Sequence, residues 1–303
     1  MQHCCAKDKP MRKHFCVAIM AAAAVLAAVP QALCAQRVVD DSLKIGGYMR
    51  HFKMFLPDGL PDKAPLVMTL HGYGSKGPVE TWMNDAAVKH GFALCVPLGL
   101  EDKTGKRGWN VRYPNQEGMT VDDVNTMVKM AKYVQKKYRL SKQNTFLTGM
   151  SNGGEMCYVL SYKKQNTFRA LASVAGLTLT WMYDERENTR PIPFMEIHGT
   201  EDRTSEWTGD LDNKGGWGCY MSVPDAVGHI VEKNGCTPLP TDTVQGRKYQ
   251  KNGHLVVHHY YTNPRTHNDV WLYEVIGAGH CWFRDDIDTG EEIWKFFSQY
   301  LKK

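Results

Sequence analysis

The feature that most constrains this 303-residue chain is an alternation. Short apolar runs of strand length take turns with segments of helical periodicity, from residue 65 almost to the C-terminus. Residues 65–70, 92–97, 145–148, 170–175, 193–199, 256–261 and 270–276 read as strands. Residues 81–90, 121–138, 152–164, 223–234 and 291–301 read as helices; in the second of these, Val121, Val124, Met127, Val128, Ala131 and Val134 share one helical face. Apolar strands separated by helices hide both their faces only in a mostly parallel central sheet with helices on either side. Residues 43–56 differ. They read as a hairpin bent at Gly46-Gly47, which predicts antiparallel strands at one edge. The loop-rich stretch 184–223 reads as an insertion near a functional site. No repeat, low-complexity tract or linker divides 36–303, so one domain is expected there.

The N-terminus follows another pattern. Arg12 and Lys13 precede the apolar stretch 15–29, then Pro30 and the small-residue exit Ala32-Leu33-Cys34-Ala35: the layout of a signal peptide over residues 1–35. Met11 offers a second start with its own charged head. An apolar stretch of about 15 residues is short for a bilayer. The mature chain is therefore expected to be secreted or periplasmic, with no stable membrane insertion. Without 1–35 the chain keeps 33 of its 37 basic and 31 of its 32 acidic residues, a net charge of +2 in place of +5. So balanced a surface gives no electrostatic case for nucleic acid. Five cysteines remain, Cys95, Cys157, Cys219, Cys236 and Cys281. Cys95 reads as a buried, inert thiol. Export permits disulfides among Cys157, Cys219, Cys236 and Cys281, and the odd total leaves a thiol over; the pairing stays open. There is no Cys-x-x-Cys, and adjacent His258 and His259 would face opposite sides of a strand, so no metal site is expected.

Gly149-Met150-Ser151-Asn152-Gly153 follows a strand and opens a helix, the setting that makes a G-x-S-x-G string a nucleophile elbow. The serine needs a base, and the base an orienting acid, in the chain order serine, acid, histidine. Seven histidines follow Ser151. Only His280 combines a late position, a strand just before it and a glycine-flanked loop; the other six lie in strands, a helix or polar loops and read as surface histidines. Asp202, in His198-Gly199-Thr200-Glu201-Asp202, lies just past a strand and reads as the orienter; Glu201 and Glu196 are less well placed. The oxyanion of an acyl-transfer reaction needs two N–H donors. Asn152 N–H, directly after the nucleophile, is one; Tyr73 N–H, in His71-Gly72-Tyr73-Gly74, is the expected second. A His280 base implies activity that falls at acid pH, because imidazolium cannot accept the serine proton.

Leu70-His71-Gly72-Tyr73-Gly74, Trp109-Asn110-Val111, Asp122-Asp123-Val124, Gly149 to Gly154, His198 to Asp202 and Gly279-His280 occur in one order. Together they resemble the secreted α/β-hydrolase esterases, and within them the group of feruloyl esterases, acetyl xylan esterases and polyhydroxybutyrate depolymerase-like proteins. The resemblance spans most of 43–301. It implies an α/β-hydrolase fold, a Ser151–His280–Asp202 triad, Tyr73 and Asn152 as oxyanion donors, and ester hydrolysis without a cofactor. Cys281 beside the histidine departs from the pattern. Trp109, Trp207, Trp217 and Trp282 fall near these segments, and Trp109, Trp207 and Trp282 are the expected substrate-binding aromatics. The expected substrate is an ester-substituted plant polysaccharide, releasing ferulate or a related hydroxycinnamate. Acetyl xylan and polyester chains are the alternatives. A serine peptidase and an inactive carbohydrate-binding protein rank lower.

Overall fold

The computed structural model describes residues 36–77, 82–245 and 254–303, with backbone alone for 243–245. The segment 1–35, expected to be a signal peptide, lies outside the described residues together with both candidate starts. The described residues lie in one compact unit, Cys34–Lys303.

Strand β1 (Gln36–Ile45) turns through Gly46 and Gly47, both at positive φ (59° and 91°), into β2 (Tyr48–Pro57). Only glycine adopts such a pair of angles without strain. Then follow β3 (Leu66–Leu70), α1 (Asn84–His90), β4 (Ala93–Pro97), a small hairpin of β5 (Leu100–Glu101) and β6 (Arg107–Gly108), and α2 (Asp123–Lys137). The middle of the chain gives β7 (Thr145–Met150), α3 (Asn152–Ser161), β8 (Leu171–Val174), β9 (Thr178–Leu179), α4 (Thr180–Asp184) and β10 (Phe194–Gly199). The last third supplies β11 (Tyr220–Met221), α5 (Val223–Asn234), β12 (Thr237–Pro238), β13 (Asp242–Gln245), β14 (Leu255–Thr262), β15 (Val270–Ile276) and α6 (Thr289–Ser298).

The main sheet runs β1-β2-β4-β3-β7-β8-β10-β15-β14-β12, with β13 also paired to β14. From β4 to β15 all pairs are parallel. The leading hairpin forms one antiparallel edge, as expected, and β14 with β12 and β13 forms a second antiparallel edge that the sequence pattern had not suggested. Two cores sandwich the sheet. Leu66, Met68 and Leu70 of β3 face Met127, Met130 and Val134 of α2 on one side, with α3 and α5. Val67, from the same strand, faces the other side, where α1 and α6 bring Ala86, Ala87, Ile293, Trp294 and Phe297. That alternation is the period of two a strand imposes. The result is an α/β-hydrolase fold.

Two expectations need correction. The stretch 184–223 is not one insertion, because β10 lies in the middle of the sheet between β8 and β15; the excursion proper is 200–222. The cysteines are all free among the described residues. Cys157 is buried on α3 with its thiol against the carbonyl oxygens of Gly153 and Ala172, and Cys236 points its thiol at the Asn268 carbonyl, so these two are committed locally. No described helix is long and apolar enough to cross a membrane.

Candidate active site

Strands that point the same way end on the same edge of a sheet, and the register makes the ends level. Leu70 lies beside Gly149, Met150 beside Val174, and Gly199 beside Val275. The loops after β3, β7, β10 and β15 therefore gather at the C-terminal edge, where such folds bind ligands.

Between β7 and α3 the chain turns through a single residue, Ser151, at φ 54° and ψ −123°. A non-glycine residue there costs on the order of 1–3 kcal/mol. The turn is held because Ser151 N–H donates to the Val174 carbonyl (2.8 Å) and the Ser151 carbonyl accepts from Glu155 N–H (2.9 Å). The motif glycines are required by crowding. A Cβ on Gly149 would meet the Gly153 backbone at 2.5 Å, and one on Gly153 would collide with the Leu70 carbonyl. Gly72 brings the loop after β3 against the serine: a Cβ there would lie 3.3 Å from Ser151 Cβ.

That loop is pinned from behind by a neutral histidine and a tryptophan. Nδ1 of buried His71 lies 2.8 Å from the Gly72 carbonyl oxygen, and Nε2 accepts from Gly99 N–H at 2.9 Å. One acceptor and one donor make the ring neutral, with its hydrogen on Nδ1. Burial drives its pKa down to about 4. The indole N–H of Trp109 donates to the His71 carbonyl (3.0 Å). Its backbone N–H and carbonyl pair with the Asn152 side-chain amide at 2.6 and 3.1 Å. Arg50, fully buried, pairs with Asp123 at 2.8 Å, and Asp123 in turn accepts from Asn110 N–H at 2.7 Å. Tyr73 stands half-buried on this loop, its hydroxyl donating to the Asp102 carboxylate.

The opposite half is ionic. Asp202, buried, lies with Oδ2 2.6 Å from His280 Nδ1, while Oδ1 accepts from Thr204 N–H (2.8 Å) and Ser205 N–H (2.9 Å). Burial alone would raise this carboxyl; the His280 bond and the two N–H bonds outweigh it and hold the pKa below the usual range. The two loops are tied together by Glu201 N–H to the Ala278 carbonyl (3.0 Å) and Gly277 N–H to Thr200 Oγ1 (2.9 Å). Among the described residues His280 has its hydrogen bond to Asp202 and none to Ser151. In hydrolases without substrate that bond is often long or misaligned and tightens on binding.

Sequence reasoning missed what lies under Asp202. His198, read as a surface histidine, is fully buried at the end of β10. Its Nδ1 lies 2.9 Å from Glu196 Oε1, and its Nε2 lies 2.7 Å from the Ser205 carbonyl and 3.6 Å from Asp202 Oδ2. The available signal was spacing: Glu196 and His198 are two apart on one strand, hence on one face.

The aromatic expectation fails in two of three cases. Trp109 is 0% exposed and serves as the brace just described, and Trp282 is 7% exposed inside the core over α6, so neither can stack on a substrate. Trp207 is half-buried, edge-on to His198 at 6.1 Å. Trp217, on the 200–222 excursion, meets Tyr73 at 5.8 Å and Tyr113 at 5.1 Å between ring centres, a three-ring wall beside the loop after β3.

The model of the prolyl oligopeptidase family matches residues 104–215, about a third of the chain, which holds Ser151 and Asp202. A bifunctional acetylxylan esterase/xylanase of Neocallimastix patriciarum is 23% identical over 269 residues, covering 87% of this chain and 35% of that protein. Feruloyl esterase B of Neurospora crassa is 28% identical over 126 residues, covering 41% and 42%. The chain thus spans between a third and a half of the length of these relatives. Among solved structures, acetyl xylan esterase from Aspergillus awamori superposes with a TM-score of 0.61 at 14% identity, covering 88% of this chain and 100% of the other. A ferulic acid esterase from Anaeromyces mucronatus gives 0.54 at 16%, covering 87% and 89%. The chain has an α/β-hydrolase fold and is similar in sequence to carboxylic ester hydrolases. Within that class it resembles the acetyl xylan and feruloyl esterase group.

Proposed function

We propose that the protein is a secreted serine carboxylic ester hydrolase acting on ester-substituted plant polysaccharide. The observation that carries this reading is the pairing of buried Asp202 with part-exposed His280 at 2.6 Å, on the same sheet edge as a serine held in a strained single-residue turn. In the mechanism His280, oriented by Asp202, takes the Ser151 proton as Ser151 Oγ attacks the ester carbonyl. The oxyanion is met by the N–H groups of Tyr73 and Asn152, and α3 aims its positive end at the same point. His280 then protonates the leaving alkoxide, and water repeats the sequence on the acyl-enzyme. No step calls for a cofactor.

Hydroxycinnamoyl esters are the preferred acyl class, supported by the half-buried rings of Tyr73 and Trp217, which pack on buried Tyr113 and suit a phenolic ring. Acetyl esters of xylan are the second reading, favoured by the acetylxylan esterase relative that matches 87% of this chain. The test compares ferulate released from feruloylated arabinoxylan with acetate released from acetylated xylan, by wild type and Ser151→Ala. Ferulate release that requires Ser151 supports the first reading. Acetate alone moves the assignment to the second, and equal inertness of both proteins on p-nitrophenyl acetate overturns the esterase reading.

A further inference from the structure

His198 sits where no role in the mechanism has been assigned, one residue before Gly199 and wholly out of solvent. Its surroundings decide its protonation. A carbonyl oxygen only accepts, so the nitrogen 2.7 Å from Ser205 O carries a hydrogen. The other nitrogen, 2.9 Å from Glu196 Oε1, would point a lone pair at a carboxylate oxygen unless it also carried one. Other groups near these carboxylates are Tyr158 and Cys157 of α3 beside Glu196, and Tyr220 and Cys281 beside Asp202. Burial pushes all four upward, so they stay neutral where the site works. Trp207 closes the remaining side edge-on. The charged partners of His198 are therefore Glu196 and Asp202, with His280 beyond.

We infer that His198 is held as an imidazolium and acts as a positioning residue for Asp202. Its Nε2–H fixes the Ser205 carbonyl, and the same turn presents Ser205 N–H to Asp202 Oδ1, so the carboxylate is set from beneath. Its charge, 3.6 Å from Asp202 Oδ2, weakens the negative potential that Asp202 presents to His280. Burial works against a charged ring, yet the Glu196 carboxylate outweighs it and raises His198 above the ordinary histidine range. The role rests on reading Asp202 and His280 as the acid and base of a serine hydrolase; the charge on His198 does not.

Removing that charge leaves Asp202 more negative as seen from His280. Protonation of the base then competes at higher pH, and the acid limb of kcat/KM moves upward. A unit charge several ångströms away gives a shift of about half to one pH unit. Two measurements test this. In the full-length chain labelled with 15N-histidine, the His198 ring nitrogens, assigned by through-bond correlation, are both protonated at pH 7; a neutral tautomer there overturns the proposal. In His198→Gln, which keeps an N–H for the Ser205 carbonyl but no charge, the acid limb on p-nitrophenyl acetate shifts upward; an unmoved limb overturns the positioning role. Should the variant not fold, the wild-type ring nitrogens decide alone. Should wild type and Ser151→Ala be equally inert, the esterase reading fails while the ring nitrogens still report on His198.

Discussion

Two histidines lie beneath the two halves of the site, both buried and oppositely surrounded. Under the loop after β3, His71 has one acceptor, the Gly72 carbonyl, and one donor, Gly99 N–H. Under His280 and Asp202, His198 has two acceptors, Glu196 and the Ser205 carbonyl. Burial pulls both toward neutrality, yet it lowers only the first; carboxylates raise the second. What separates them is the tally of partners around each ring. One half of the site is thus braced by a neutral ring that holds backbone groups, and the other by a ring set among carboxylates.

The brace has a mechanical consequence. A peptide group is planar, so its carbonyl and N–H point in opposite directions. By holding the Gly72 carbonyl, His71 fixes the direction of Tyr73 N–H, the proposed oxyanion donor. The ionic half fixes side chains instead, through Asp202.

The sharpest way to break this division is Asp202→Asn, which keeps the shape and removes the charge. A loss of about ten-thousandfold in kcat is expected. A loss under tenfold on p-nitrophenyl acetate would show that the ionic half does not serve the base. Next is Trp109→Ala, which empties a fully buried site and orphans the His71 carbonyl, while its backbone bonds to Asn152 remain available. Unfolding free energy should drop by about 3–5 kcal/mol, read by urea denaturation. A drop below about 1 kcal/mol would mean the brace is slack.

The pH dependence of stability sharpens the contrast, because the two rings slope in opposite directions. For His71 the folded pKa of about 4 lies below the ordinary 6.5. Its contribution is complete above pH 6.5 and is lost as pH falls toward 4, where the unfolded chain takes a proton the fold refuses; the loss is about 3 kcal/mol. His71→Asn should lack this slope. For His198, raised above 6.5, the contribution is present below that value and fades as pH rises through the folded pKa. The stability difference between wild type and His198→Gln should therefore shrink toward alkaline pH. Parallel slopes for the two variants would erase the distinction.

Much of this was legible because a few local rules are strict. The elbow could be read from Gly149 and Gly153, since close packing of α3 on β7 and on β3 tolerates no Cβ at the first and second place respectively. That the side chains of His280 and Asp202 meet could be read from position alone, each just beyond a strand in a chain whose parallel strands share an edge. The inward turn of Trp109 could not, because it depends on Asn152, 43 residues away, offering both a donor and an acceptor to one backbone residue. Nor could His198, whose burial comes from β8 and β15 flanking β10 and from the excursion folding back over it. The wall of Tyr73, Tyr113 and Trp217 assembles three loops, and no local pattern encodes such a meeting.

The central claim is that Ser151 forms a covalent acyl intermediate. Rapid quenching of the reaction with p-nitrophenyl acetate, followed by peptide mapping of the intact full-length protein by mass spectrometry, reads it directly. The account predicts an acetyl group on Ser151 at steady state, absent from Ser151→Ala and slow to form in Asp202→Asn. Continued hydrolysis by Ser151→Ala at the wild-type rate, or an acetyl group carried through turnover on another residue, would contradict it.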